Sequence, residues 1–265
     1  MSLARYRAIL AYDGTNYYGF QRTGSEKPSV QETVEAALQQ VSGQAVSVIG
    51  AGRTDAGVHA TGQVIAFDLD WKHEDEDLLR ALNATLPIDI ALQRLDRAVS
   101  EFHPRYDATS RVYQYFVYEA QIRQPMMARM SWWVHPPRHT RLDVEAMNWA
   151  AAKLLGTHDF SSFGTPPQGE STVRQVFQSE WMIEVPTQGT RLLSYAIEAN
   201  AFLYHMVRSI VGTLVEVGLH RMTIEAFIHA FQAKDRAGIS KLAPAHGLTL
   251  TQVNYDRSGE TPAGV

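Results

Sequence analysis

Apolar residues in the first part of the chain recur with two periods, one typical of strands and one typical of helices. Residues 6–12 form a short apolar run that predicts a strand, ended by the turn-forming pair Asp13-Gly14. Ser29 and Glu32 fit a capping box, and the apolar stripe behind them predicts a helix that Gly43 ends. The stripe consists of Val30, Val34, Ala37, Leu38 and Val41.

Four further segments complete the first half of the chain. The pattern predicts strands over 45–49, 63–69 and 90–98, and a helix over 75–86 that ends before Pro87. The first two of these strands flank a glycine-rich loop. The predicted order of elements is therefore βαββαβ.

The same order of elements begins again in the second half. Predicted strands cover 112–118, 173–185, 191–199 and 248–255, and predicted helices cover 143–155, 202–217 and 223–233. Two copies of one unit predict an α+β protein in which helices cover one face of largely antiparallel sheets. RNA-recognition domains share this arrangement of strands and helices.

We expect an N-terminal half over 1–108 and a C-terminal half over 109–256. Residues 121–141 and 156–170 fall outside the repeated order, and long insertions of this kind are functional or mobile loops. The polar tail over 257–265 is predicted to be disordered.

Composition narrows the class of protein. The 265 residues are 45% hydrophobic and 20% charged, as in a soluble globular protein. The absence of Cys excludes disulfides, thiolate nucleophiles and Cys-ligated metal, and no signal peptide or membrane segment is found, so we expect a cytoplasmic protein. The formal net charge of -4 argues only weakly against a polyanionic partner, because electrostatic fields are local.

Residues 50–63 combine four glycines with Arg, Asp, His and Gln side chains. The spacing matches neither a P-loop nor a dinucleotide-binding fingerprint. One interpretation is a wide hairpin loop with solvated polar residues. The other depends on Arg53-Thr54-Asp55: a carboxylate beside a guanidinium stays ionised, and an ionised Asp suits nucleophilic or electrostatic work at a sugar carbon.

Several blocks of residues carry a resemblance to a known family. They are Tyr12-Asp13-Gly14-Thr15 with residues 17–21, then 51–64, 102–106 with 113–115, 200–208 with Gly212, and Gly247-Leu248. Through these blocks the chain resembles tRNA pseudouridine synthases of the TruA family, over nearly its whole length. The block over 51–64 is highly specific, and five blocks in the family's order make chance similarity negligible.

The resemblance implies the pseudouridine synthase fold and the isomerisation of uridine at positions 38, 39 and/or 40 of the tRNA anticodon stem-loop. The N1–C1′ bond breaks and a C5–C1′ bond forms, so neither a cofactor nor a metal is required. It further implies that Asp55 is the catalytic carboxylate, which attacks C1′ or assists formation of a glycal. A homodimer that shares the tRNA is implied as well.

The resemblance also implies roles for other side chains. Arg208 matches the partner of the catalytic carboxylate, although a lone Arg on a helix is ordinarily a surface residue. Tyr113 matches an aromatic residue that stacks on the target uracil and is a candidate base, although its strand pattern also suits a core tyrosine. The further candidates for RNA contact are Arg53 and His59 beside Asp55, then Phe102, His103 and Arg105, and more weakly Gln21, Arg22 and His205.

Two other functions fit parts of the sequence. A nucleoside or glycoside hydrolase would use Asp55 with water and a second carboxylate, for which Asp13 and Asp107 are candidates. A non-catalytic RNA-binding module would normally carry an RNP-type aromatic motif, which the sequence lacks. Free uracil among the products would indicate the hydrolase, and an unchanged function of Asp55→Ala would indicate the module.

Overall fold

The computed structural model describes residues 3–22, 24, 27–137, 140–166, 169, 171–184, 190–234, 236–239 and 242–255. The tail over 257–265, for which disorder is predicted, lies outside these residues. Within the described ranges no helix is long and apolar enough to cross a membrane.

Strands and helices are interspersed along the described chain. The elements in chain order begin with β1 (Ala4–Tyr12), α1 (Val30–Ser42), β2 (Ile49–Gly50), β3 (His59–Leu69), α2 (Asp75–Thr85) and β4 (Ile90–Arg97). They continue with β5 (Ala108–Glu119), β6 (Trp132–Val134), α3 (Val144–Ala151), β7 (Gly156–Asp159), β8 (Val173–Ile183), β9 (Arg191–Ala199), α4 (Met206–Gly218), α5 (Ile224–Gln232) and β10 (Leu248–Tyr255). The strand pairings are mostly antiparallel, so the predicted α+β class is confirmed.

The chain divides into two compact units. The first holds Met1–Ser110 together with the chain from Leu250 onward, and the second holds Arg111–Thr249. The last strand therefore belongs mainly to the first unit. The two units are described separately below.

In the first unit β1 is the central strand, antiparallel to both β3 and β4. β3 also pairs with β2 and lies beside β10. The register between β1 and β3 shifts after Leu10, so that Tyr12 faces Ala60 at the end of the sheet. This irregularity at the strand end directs Tyr12 toward the loop that precedes β3.

Helix α1 begins and ends where the local sequence predicts. The Ser29 side chain accepts a hydrogen bond from the Glu32 N–H, and the Glu32 carboxylate accepts one from the Ser29 N–H. Gly43 follows the last turn with φ 71°, a left-handed conformation that glycine adopts without strain. The buried stripe of α1 and Leu78 and Leu82 of α2 contribute to the core of the unit.

In the second unit the strands follow the order β5, β9, β8, β7, and every neighbouring pair is antiparallel. The short β6 runs parallel to β5. Asn148 of α3 exchanges two hydrogen bonds with the backbone of Trp181 in β8, of 2.9 and 2.7 Å, which fixes the helix against the sheet. The largest fully buried side chains of this unit are Tyr115, Tyr118, Tyr195, Phe160, Phe163 and Phe227.

The prediction of a strand over 45–49 is wrong except at its last residue, because β2 consists of only Ile49–Gly50. The preceding backbone is bonded to side chains instead of a neighbouring strand: the Val48 N–H donates to the Glu35 carboxylate at 2.9 Å. β3, in contrast, begins at His59, four residues earlier than predicted.

Helix α4 starts later than the apolar pattern predicts, at Met206 instead of Phe202. Tyr204 pairs through its backbone with Thr165, and His205 has φ 67°, a left-handed conformation that interrupts a right-handed helix. The segments left outside the predicted scheme also contain the short strands β6 and β7.

Candidate active site

The loop that carries Asp55 joins β2 to β3, and hydrogen bonds to side chains of β1 and β3 hold the residues that precede Asp55. The hydroxyls of Tyr12 and Thr54 lie 2.8 Å apart and share a hydrogen bond. Burial raises the pKa of Tyr12 to about 12, so that this hydroxyl stays neutral at physiological pH. On the other side the Gln63 amide donates to the Gly52 carbonyl at 2.8 Å. The residue before Asp55 is therefore held from the interior of the unit.

A second segment, residues 14–20, packs directly against the backbone of this loop. A Cβ on Gly14 would overlap the Val58 carbonyl, and one on Gly19 would lie 2.6 Å from the Thr54 carbonyl oxygen. Gly19 also has φ 87°. The Phe20 N–H donates to the Thr54 carbonyl at 3.1 Å. Only glycine permits so close an approach of two backbones, and the contact makes the loop rigid.

Asp55 itself is half-buried, and its carbonyl accepts a hydrogen bond from the Val58 N–H at 3.1 Å, which closes a tight turn. Arg53 is exposed, two residues before it. The loop therefore holds a carboxylate on a fixed backbone at a position that is partly open to solvent. A carboxylate held in this way can act as a nucleophile or stabilise a developing positive charge.

The resemblance predicts that His59 contacts the displaced nucleotide; in the structure its side chain is 1% exposed and contacts protein. Its Nδ1 accepts a hydrogen bond from the Gly14 N–H at 3.0 Å and lies 3.2 Å from the Asp13 carboxylate. His59 thus holds the turn at Gly14 against the loop.

The predicted contact segment over 102–106 forms a separate tight loop of the first unit. Phe102 is buried, and its ring centroid lies 5.4 Å from that of Tyr255 at the end of β10, so its side chain contributes to the packing of this loop. His103 and Arg105 are half-buried. The Tyr255 hydroxyl donates to the Pro104 carbonyl at 2.8 Å and ties this loop to the last strand.

Gln21 and Arg22 lie on the surface before α1. The Arg22 guanidinium forms an ion pair with Glu35, which is buried and also accepts the Val48 N–H. A buried carboxylate that lost this partner would be destabilising, so Arg22 has a structural role in addition to its surface position.

In the second unit Tyr113 of β5 is 8% exposed, and its ring meets Phe202 edge to face at 5.0 Å. Arg208 lies in the first turn of α4, half-buried, and its Nε donates to the Ala243 carbonyl at 2.8 Å. The Ala243 N–H donates back to the Arg208 carbonyl at 3.1 Å. Burial raises the pKa of the Tyr115 hydroxyl, and the positive charge of Arg208 acts in the opposite direction.

His205 precedes α4 and stacks on Tyr204 with ring centroids 3.7 Å apart. Gly164 makes room for this segment, because a Cβ there would lie 2.5 Å from the Tyr204 carbonyl oxygen. The stack therefore depends on residues that are distant in sequence.

The structure thus groups the predicted residues by unit. Arg53, Asp55 and His59 share one loop region, and Tyr113, His205 and Arg208 belong to the second unit. Sequence reasoning missed the partners of His59, since nothing local connects residues 45 positions apart. Among the described residues no three His, Asp or Glu side chains could together hold a metal ion.

Comparison with known proteins gives a consistent result. A family model described as tRNA pseudouridine synthase matches residues 8–107 and 150–256. A protein named tRNA pseudouridine synthase A from Neisseria meningitidis serogroup B is 39% identical over 252 residues, 95% of this chain and 92% of its own. Proteins of the same name from Chloroflexus aurantiacus (42% identical; 93% of this chain, 87% of that one) and Thermotoga neapolitana (37%; 96% and 100%) are similar.

Proposed function

The chain belongs to the tRNA pseudouridine synthase family, and on that premise we propose that it isomerises uridine at position 38, 39 or 40 of the anticodon stem-loop, with Asp55 as nucleophile. Enzymes of this family are isomerases. The observation that supports the proposal most directly is the half-exposed carboxylate of Asp55 on a loop that Gly14 and Gly19 hold at backbone contact. Because the backbone is fixed, the carboxylate loses little conformational freedom when it reaches C1′.

The reaction requires one bond to break and another to form at the same sugar carbon. The Asp55 carboxylate attacks C1′ as the N1–C1′ bond breaks, and the uracil leaves as an anion that stays bound. After the ring turns, C5 attacks C1′ and releases the carboxylate. The proton on C5 is lost and N1 gains one, so the product is an isomer of the substrate and no cofactor takes part.

We propose that Tyr113 either removes the C5 proton as the base or provides the ring on which the uracil stacks. Its edge-to-face contact with Phe202 supports this assignment, because the contact fixes the ring. Arg208 supplies the positive charge that stabilises the anions of the reaction. Its backbone and Nε bonds to Ala243 hold the guanidinium in one direction, as electrostatic catalysis requires.

A uridine in a stem must leave the helix before C1′ is accessible, at a cost of a few kcal/mol. The exposed Arg53 and Gln21 and the half-buried Arg105 are the side chains of the first unit that we expect to bind the displaced strand. We assign a positioning role to His59, which accepts the Gly14 N–H, and to Phe102, which packs on Tyr255.

We further propose that the chain consists of two βαββαβ halves, over 1–108 and 109–256. Two copies of this chain would form a homodimer in the cytoplasm. The order β1, β3, β2 in the first unit and β5, β9, β8 in the second support the repeated plan, since all of these pairs are antiparallel. Sedimentation analysis at several concentrations tests the dimer, and a monomer at all of them would contradict it.

Tritium release from tRNA transcripts labelled at uridine C5 tests the function. Wild-type protein should release tritium without free uracil, and Asp55→Asn should not. Asp70→Asn is the matched control, because it makes the same change on a half-buried carboxylate of the first unit outside the loop. Transcripts with a single uridine at 38, 39 or 40 identify the modified position.

Each alternative has its own signature in this experiment. Free uracil would indicate a hydrolase. Release by Asp55→Asn equal to wild type would show that Asp55 is not the nucleophile. Binding of tRNA with no release by any protein would favour a non-catalytic RNA-binding module.

A further inference from the structure

Tyr106 is the most exposed tyrosine of the described chain, with 72% of its surface open to solvent. One face of its ring is stacked on the imidazole of His103, with centroids 4.2 Å apart and planes inclined by 29°. The guanidinium carbon of Arg105 lies 5.8 Å from the centroid of the same ring. An aromatic ring, an imidazole and a cation are therefore presented together at the surface.

Hydrogen bonds within the loop hold this stack in place. His103 Nδ1 accepts from the backbone N–H groups of Arg105 and Tyr106, each at 3.2 Å. The Asp107 carboxylate accepts from the His103 N–H at 2.8 Å, and the Asp107 N–H donates to the His103 carbonyl at 3.1 Å. Four bonds across five residues leave the ring of Tyr106 little freedom to lose on binding.

The base of the loop is anchored to the core of the first unit. Besides its bond to Pro104, Tyr255 packs on Phe102, and the Arg7 guanidinium lies 4.8 Å from the Tyr255 ring centroid. The Arg5 guanidinium donates to the Phe102 carbonyl at 2.8 Å. The exposed stack is thus the outer end of a rigid structure.

We propose that Tyr106 and His103 form a stacking platform for an unpaired base of the tRNA other than the target uridine. Single-stranded RNA is bound by aromatic rings that stack on bases, with arginine next to them for the backbone or a further base. Arg105 fills that second position. The proposal rests on the proposed function, since the base belongs to the tRNA on which that function acts.

Trp149 of α3 provides a matched comparison. It is 60% exposed, but in the described part of the chain no ring stacks on it and no arginine lies over it. If exposed aromatic area alone promoted binding, Trp149→Ala would weaken it as much as Tyr106→Ala. The platform predicts an effect only at Tyr106.

The first test measures the Kd for an unmodified tRNA transcript. Tyr106→Ala should weaken binding about 5- to 150-fold, the range for loss of one stacked base. Tyr106→Phe and Trp149→Ala should bind as wild type. Tritium release at saturating enzyme should keep its maximal rate in all three variants, and their thermal unfolding midpoints should match wild type, because both side chains are exposed.

The second test detects the stack itself. Anticodon stem-loops with 2-aminopurine at one unpaired position at a time should show quenched fluorescence at one position on binding wild type and Tyr106→Phe. Binding of Tyr106→Ala at saturation should leave that position unquenched. A merely structural role of Tyr106 would lower affinity without removing the quenching at one position.

The outcomes separate this proposal from the proposed function. Tyr106→Ala that binds like wild type, or that quenches like wild type, overturns the platform even where tritium is released. Wild type that quenches through Tyr106 but releases no tritium contradicts the isomerase and supports the platform. Wild type that binds none of the RNAs contradicts both.

Discussion

The Asp55 loop of the first unit and the start of α4 in the second carry the two charged groups of the proposed reaction, and they are built in different ways. Asp55 sits where segments far apart in sequence touch: Tyr12 bonds to Thr54, and the Gly14 backbone contacts Val58. Arg208 is placed by an ordinary helix turn and by two hydrogen bonds with the backbone of Ala243, one in each direction.

This difference determines which substitutions each region tolerates. Gly14 and Gly19 of the neighbouring segment have no space for added atoms, so a side chain there would displace the backbone of the Asp55 loop. The start of α4 tolerates changes in side-chain chemistry better, because its one backbone irregularity, at His205, is local. The expected effects below follow this contrast, from the largest to the smallest.

Asp55→Asn should reduce the single-turnover rate of tritium release roughly a thousandfold or more, since the nucleophile is lost while its backbone is kept. An amide is nearly isosteric with the carboxylate, so the folded structure should be retained. Rates measured at saturating enzyme check this, with a circular dichroism spectrum like that of wild type as the control. A rate within tenfold of wild type, about 1.4 kcal/mol in barrier, would exclude Asp55 as nucleophile.

Gly14→Ala should destabilise the first unit by about 3 kcal/mol, because its Cβ would overlap backbone that cannot move aside. Gly43→Ala is the control, since Gly43 is also a turn glycine, with φ 71°, but has nothing within 4 Å of the added carbon. It should cost about 1 kcal/mol. Urea unfolding measures both, and equal losses would show that the contact at Val58 is not tight.

Arg208→Met should lower the rate of tritium release roughly 100-fold, because a long apolar chain keeps the packing but removes the charge. The free energy of unfolding should change less than in Gly14→Ala. Arg208→Lys should recover part of the rate, as it restores charge without the directed Nε bond. A Met variant as active as wild type would assign Arg208 a surface role only.

Tyr12→Phe should cost about 1–2 kcal/mol in unfolding free energy, because the buried Thr54 hydroxyl loses its partner. The rate of tritium release should fall by more than the loss of folded protein at the assay temperature explains, because Thr54 directly precedes the nucleophile. Tyr195→Phe in the second unit removes a similar buried bond, to the Ser179 hydroxyl at 2.7 Å, and serves as the stability control. A Tyr12→Phe rate equal to that of Tyr195→Phe would argue against coupling of the loop to Tyr12.

His205→Ala should be less stable than His205→Gly by about 1 kcal/mol, because only glycine adopts φ 67° without strain. Both variants lose the ring that stacks on Tyr204, so the difference isolates the backbone. Thermal unfolding checks the order. Equal stabilities would indicate that the helix start relaxes to another conformation.

Features that depend on neighbouring residues were predictable from the sequence. Ser29 and Glu32 cap α1 because the donor and acceptor are three residues apart, and Gly43 ends the helix by its own conformation. The Asp55 loop could also be singled out from the sequence, because the neighbouring Arg53 guanidinium keeps a carboxylate ionised and so suits it to nucleophilic chemistry.

Only the tertiary structure decided the roles that depend on distant partners. The sequence predicts His59 and Phe102 as nucleotide contacts, and only the tertiary structure shows that His59 accepts the Gly14 N–H and that Phe102 packs on Tyr255. The apolar pattern started α4 four residues early, because periodicity does not register the pairing of Tyr204 with Thr165. Burial and backbone pairing depend on which segments meet in space. The periodicity of apolar residues along the chain does not carry that information.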